Sequence, residues 1–129
     1  MIKLAGAIIQ DPQTGYILLQ HRDNNAPTNP NKWGLFGGHM EGDETPEVTA
    51  RRELREELGI DVHISEVQHV HAYQRDADTY RYLFSVKLPM DSKLVLGEGQ
   101  GYAWVDPRKV FSYDLTDTAR HDLTHFLTK

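Results

Sequence analysis

Apolar residues crowd the start of the chain. Leu4–Gln10 is an apolar segment, β-branched towards its end at Ile8-Ile9, which predicts a strand. Asp11-Pro12-Gln13-Thr14-Gly15 is a turn signal, and Tyr16–Gln20 reads as the returning strand of a hairpin. The stretch Asp23–Lys32 holds two prolines and four asparagines among few apolar residues, so it predicts a long surface loop. Trp33–Gly38 is a short, apolar, glycine-rich passage. A helix is predicted over 46–58: Thr45 suits its N-cap, Pro46 its first position and Gly59 the residue after its end. Ala50, Leu54 and Leu58 recur every four residues and give it a buried stripe.

Two strands, Asp61–Gln74 and Thr79–Leu88, are expected around an Arg75-Asp76-Ala77-Asp78 turn, with alternation at Val67, His69, His71 and Tyr73. Leu94–Leu96 and Tyr102–Val105 predict further short strands, and Asp106-Pro107 a short helical turn. Thr116 is placed to cap a last helix whose apolar face is Ala119, Leu123, Phe126 and Leu127. Strands, helix, strands, helix is the order of an α/β protein with a mixed sheet and helices packed on it.

A chain of 129 residues fits one domain over 1–129. With 39% hydrophobic and 26% charged residues, the composition is that of a folded globular chain. Cysteine is absent, which excludes disulfide scaffolds, thiol nucleophiles and cysteine-based zinc sites. The net charge of −5 argues against a nucleic-acid polymer as partner and leaves room for a small anionic substrate met through a metal cation. The apolar run Leu4–Ile9 is too short to span a membrane and no signal-peptide cleavage pattern follows it, so a cytoplasmic protein is expected.

Chemistry concentrates on the first predicted helix. Glu53, Glu56 and Glu57 lie three and four residues apart, within an arc of roughly 100° that borders the Ala50/Leu54/Leu58 stripe. Glu53 and Glu57 repel each other, and more strongly at the edge of a dry cleft. A multivalent cation reverses the sign of that interaction. Hard oxygen donors in a partly open arrangement suit Mg²⁺, or Mn²⁺ in its place. Against this, Arg51, Arg52 and Arg55 are interleaved with the acids, and a Glu/Arg-rich helix can simply be a solvated face.

The wider spacing reads Gly38-x5-Glu44-x7-Arg52-Glu53-Leu54-x-Glu56-Glu57-x-Gly59-Ile60. Residues 38–60 thus resemble in full the Nudix box of the Nudix (MutT-like) hydrolases, a pattern with a chance expectation on the order of 10⁻⁸ in a chain this long. The flanking strand order resembles the family over nearly the whole chain.

The resemblance implies a Nudix-type α/β/α sandwich. It also implies metal-dependent hydrolysis of a nucleoside diphosphate linked to another moiety, by water attack on phosphorus. Glu53, Glu56 and Glu57 become metal ligands, with the Gly38 carbonyl as a further one. Glu44 and Arg52 would buttress the loop and orient the ligating acids. Glycines at 37 and 38 let the backbone approach an ion or phosphate. Phe36 stands where many members of the family have proline. Glu98, in the glycine-rich stretch 97–101, resembles by position a late glutamate that some members use as ligand or general base; Glu56 and Glu57 are open to the same base role.

Other residues complete the expected site. Arg22 can reach a phosphate as a bidentate donor. His39 sits within the box and can touch substrate, and Tyr73 and Arg81, with Arg75 and Tyr82, can line a base or sugar site. His121 and His125 have chelating spacing but no acid between them, so zinc is not expected there. A homodimer is compatible with the resemblance. A non-catalytic Nudix module that binds or senses a nucleotide is the alternative, and so is a plain α/β interaction domain.

Overall fold

The computed structural model describes residues 1–97 and 101–128. The strands are β1 (Ile2–Gln10), β2 (Ile17–His21), β3 (Trp33–Gly34), β4 (Phe36–His39), β5 (Gln68–Asp76), β6 (Thr79–Lys87) and β7 (Gly101–Val105). Two α-helices, α1 (Pro46–Leu58) and α2 (Asp117–Leu127), flank them, with short 3-10 turns at Ile64–Glu66 and Val110–Ser112.

All seven strands form one mixed sheet. β1 is central and pairs in parallel with β6, in register from Ile2 opposite Thr79 to Gln10 opposite Lys87. Its other edge is divided. Ile9 and Gln10 pair with β2, while Leu4–Ala7 pair with β4, so β3 and β4 wedge between diverging strands. β7 lies on the far side of β2, and β5 on the far side of β6.

The unbroken apolar run of β1 now has its reason: both of its faces are covered. Ala5, Ala7 and Ile9 face α1 in a core with Phe36, Ala50, Leu54, Leu58, Phe84 and Val86. Ile8 faces α2 in a second core with Ile17, Leu19, Leu83, Val105, Val110, Ala119 and Leu123. Helix, sheet and helix make an α/β/α sandwich.

The ends of α1 follow its sequence. Thr45 Oγ1 accepts from the Val48 N–H at 3.2 Å, Pro46 opens the helix, and Gly59 closes it at φ 65° with its N–H donating to the Arg55 carbonyl.

Two expected elements differ. Residues 61–67 do not extend the β5 strand: His63 and Glu66 cap a 3-10 turn through reciprocal hydrogen bonds, and pairing starts at Gln68. A register shift between His69 and His71 then breaks the expected alternation. Val67 and His69 face the α1 side, whereas His71 and Tyr73 meet α2. Leu94–Leu96 forms no strand, because its backbone is spent on the end of α1. The Val95 N–H donates to the Leu58 carbonyl at 2.9 Å and the Gly97 N–H to the Glu57 carbonyl at 2.8 Å. Among the described residues, no helix is long and apolar enough to cross a membrane.

Candidate active site

The acids of α1 border the junction of β1 and β4. Gly37 pairs with Gly6 and stands at φ 151°; a Cβ there would collide with the Ala5 carbonyl. This close approach lets the Gly37 N–H point at α1 and donate to Glu57 Oε1 at 2.9 Å. Glu57 is only 4% exposed, an unusual depth for a carboxylate. At Gly38 a side chain is excluded for a different reason: its Cβ would fill the space held by the Glu53 carboxylate. The glycine pair is therefore a cradle shaped by two glutamates.

Arg52 ties the loop to the helix. Its Nε and Nη2 form a fork on Glu44 at 2.7 and 3.0 Å, and Nη2 also donates to the His39 carbonyl at 3.0 Å. Its Nη1 reaches Glu53 at 3.1 Å and Glu56 at 3.2 Å. Thr49 Oγ1 and the Glu41 N–H donate to Glu44 as well, at 2.9 and 3.0 Å. The Arg52 hydrogen bonds, helped by these donors, push the Glu44 carboxyl down to about 2, and Glu44 in turn raises the Arg52 guanidinium above its ordinary value.

A cleft of about 700 Å³ opens beside this arrangement. Glu53, Glu56, Glu57, Gly37, Gly38 and His39 line one part of it. Leu4, Leu35, Arg75, Arg81 and Ala119 line another, and Arg22, Thr28 and Asn29 a third. Arg22 donates to the Thr28 carbonyl from Nε and Nη2 at 3.1 and 2.9 Å, and so shapes the loop at the cleft's rim. Tyr73 is not on the cleft wall: its hydroxyl donates to Asp122 Oδ1 at 2.6 Å, and burial, then that hydrogen bond, raises its proton affinity. Glu98 lies outside the described residues.

Asp122, a buried acid behind the cleft residue Arg81, was missed by sequence reasoning. It is fully buried on α2 and accepts from Arg81 Nε at 2.7 Å. Its signal was there, since an acid three residues after Ala119 and next to Leu123 falls on the apolar face of its helix and needs a buried partner.

A NUDIX domain profile matches residues 3–127. The chain belongs to the Nudix hydrolase family. This Nudix hydrolase is 33% identical over 121 residues to the nucleoside triphosphatase NudI of Salmonella agona (strain SL483), covering 84% of this chain and 86% of that protein. The solution structure of the E. coli ORF135 protein superposes on it with a TM-score of 0.78 at 30% identity, over 98% of this chain and 89% of the other. A MutT structure from work on Aliivibrio salmonicida and Vibrio cholerae reaches a TM-score of 0.80 at 24% identity, over 95% and 94% of the two chains, and shares the fold. The Nudix hydrolase is thus an enzyme acting on phosphoanhydrides.

Divalent metal is usual in the family. Among the described residues, no three His, Asp or Glu side chains stand together closely enough to hold an ion as placed. The donors nevertheless suit one: hard carboxylate oxygens on one helix edge, and a glycine cradle against which Glu53 lies where a Cβ would otherwise be.

Proposed function

We propose that this Nudix hydrolase is a Mg²⁺-dependent pyrophosphohydrolase of a nucleoside diphosphate linked to a further group, with nucleoside triphosphates foremost among its substrates. The observation that carries the reading is the placement of Glu53, Glu56 and Glu57 beside the Gly37–Gly38 cradle on the wall of the cleft. The name of the Salmonella relative favours triphosphates.

Glu53, Glu56, Glu57 and the Gly38 carbonyl would hold the ion. When bound, Mg²⁺ neutralises phosphate charge and lowers the pKa of the attacking water. Arg52 keeps the acids in place: held by Glu44, it presents Nη1 to Glu53 and Glu56. The Gly37 N–H fixes Glu57 in the same way. Water forms the new P–O bond, the bridging P–O bond breaks, and a glutamate takes the water's proton; Glu56, Glu57 and Glu98 compete for that part. A carboxylate is a weak base, so the activated water must meet it partway. Arg22, at the rim, contributes a cation for the phosphate chain. A chain of net charge −5 suits such a small anion bridged by cations better than a nucleic-acid polymer.

The test is phosphate and pyrophosphate release from a panel of nucleoside triphosphates, nucleotide sugars and dinucleoside polyphosphates, with and without Mg²⁺. Hydrolysis is expected only with the metal. Glu53→Gln and Glu57→Gln should each lower kcat by about 10²-fold or more while circular dichroism stays unchanged. Metal-independent turnover, or unchanged kcat in both variants, overturns the reading. Tight nucleotide binding without turnover would mark a sensor instead.

A further inference from the structure

We propose that Arg81, held by the buried carboxylate of Asp122, reads the base of the substrate and favours an oxygen over an amine at purine C6 or pyrimidine C4. The inference rests on the hydrolase reading and names the substrate class of the same cleft.

Arg81 is almost wholly enclosed: its side chain is 8% exposed and that of Asp122 0%. Asp122 is committed on both oxygens, Oδ2 to Arg81 Nε at 2.7 Å and Oδ1 to the Tyr73 hydroxyl at 2.6 Å. The carboxylate is therefore held at both oxygens, and through Oδ2 it anchors the guanidinium at Nε. Only Nε of Arg81 is used. Among the described residues, neither Nη1 nor Nη2 donates to a protein acceptor. These N–H groups are not sealed inside the protein: among the described residues only Arg51 Nε is buried without a partner, so the Arg81 donors keep an opening. Arg81 lines the cleft, so the acceptor can come from what enters it.

The strand beneath makes room for this placement. A Cβ on Gly6 would stand 2.5 Å from Arg81 Nη2, so the guanidinium lies directly over the backbone of β1. Gly6 pairs with Gly37, whose N–H holds Glu57. The phosphate chain belongs at Glu57 and its neighbours. A group attached to that chain then reaches Arg81 across a single strand. Around it the cleft presents Ile2, Leu4 and Leu35, surfaces for a flat ring.

Two further points select a base over a second phosphate. Asp122 already balances the charge of Arg81, so the pair is a fixed donor with no net charge to attract a dianion. A guanidinium has only N–H donors and no acceptor, so it welcomes a carbonyl oxygen and repels an amine that also donates. Inosine and adenosine differ in this respect at C6, as uridine and cytidine do at C4. A site built around one hydrogen-bonding pattern discriminates strongly against the other.

The experiment compares kcat/KM within two pairs, ITP against ATP and UTP against CTP. Within the pair that is turned over faster, the oxo member should lead by about tenfold or more. Arg81→Met should bring the ratio close to one, Asp122→Asn should shrink it, and Arg81→Lys, which keeps a donor, should retain part of it. A merely structural arginine would lower both members alike and leave the ratio where it was. Calorimetric affinities of the wild type for α,β-imido analogues of the same four nucleotides give a reading that needs neither a variant nor turnover. A folded enzyme that hydrolyses nothing sinks the hydrolase reading, while the affinity ratio still decides this one. Preference for the amine, equal affinity within both pairs, no binding, or a ratio unmoved in a folded Arg81→Met overturns it.

Discussion

Gly38 shows how one absent side chain serves the acids. Its φ lies outside the left-handed region, so alanine fits the backbone; what it displaces is the Glu53 carboxylate. Gly38→Ala should therefore cut kcat/KM by about 10- to 100-fold with a melting temperature within a few degrees of wild type, measured by steady-state kinetics beside thermal unfolding. A matching loss of stability would mean that the glycine serves the strand and not the acid. Spacing made Gly37, Gly38, Glu44, Arg52 and the three glutamates legible in advance, because a box is a local pattern on a loop and a helix. Asp122 was not legible in that way. Its partners Tyr73 and Arg81 lie 49 and 41 positions away, and only the sheet brings them to α2.

At the scale of elements, β5 and α2 meet through rings. His71 stacks on His125 at 4.0 Å between centroids and on Tyr73 at 5.0 Å, and Tyr73 lies 4.5 Å from His121. Burial first, then the neighbouring His125, His121 and His69, lowers the proton affinity of His71, against the pull of Asp122. The unfolded chain then takes up a proton on His71 at a higher pH than the folded one. This share of stability is present above the ordinary histidine value of 6.5 and is lost as pH falls below it. Thermal melts between pH 8 and pH 5 should show the midpoint falling through that window, and falling less in His71→Phe, which keeps a ring but no titrating group. An equal fall in both would remove His71 from the account.

The same strand exposes the limit of pattern reading. Alternation at Val67, His69, His71 and Tyr73 predicts one face, yet one extra residue near Val70 sends the last two to the other. A bulge leaves no mark in hydrophobic period. Leu94–Leu96 misled for a related reason: apolar content resembles a strand, but the Val95 N–H, with that of Gly97 after it, is spent on the end of α1.

For the molecule as a whole, two cores share one sheet, and each helix stands on its own core. The helix α1 carries the acids and α2 carries Asp122. Leu123 is fully buried beneath α2, and Leu123→Ala should cost about 2–5 kcal/mol in urea unfolding. A cost well under 1 kcal/mol would mean that α2 rests only lightly on the sheet. The order of elements announced a mixed sheet with helices packed on it, and the resemblance carried by residues 38–60 implied the sandwich. The wedge of β3 and β4 into the divided edge of β1 was not foreseeable, because it depends on where β1 and β2 part company.

The long parallel register of β1 against β6 has a consequence for biosynthesis. The middle of the sheet leaves the ribosome before its parallel partner, which follows more than seventy residues later. Until then a greasy ribbon is bare, with no neighbour on that side to satisfy its amides. Closing so wide a loop is slow, and for that interval the nascent chain is a client for chaperones and a hazard for clumping.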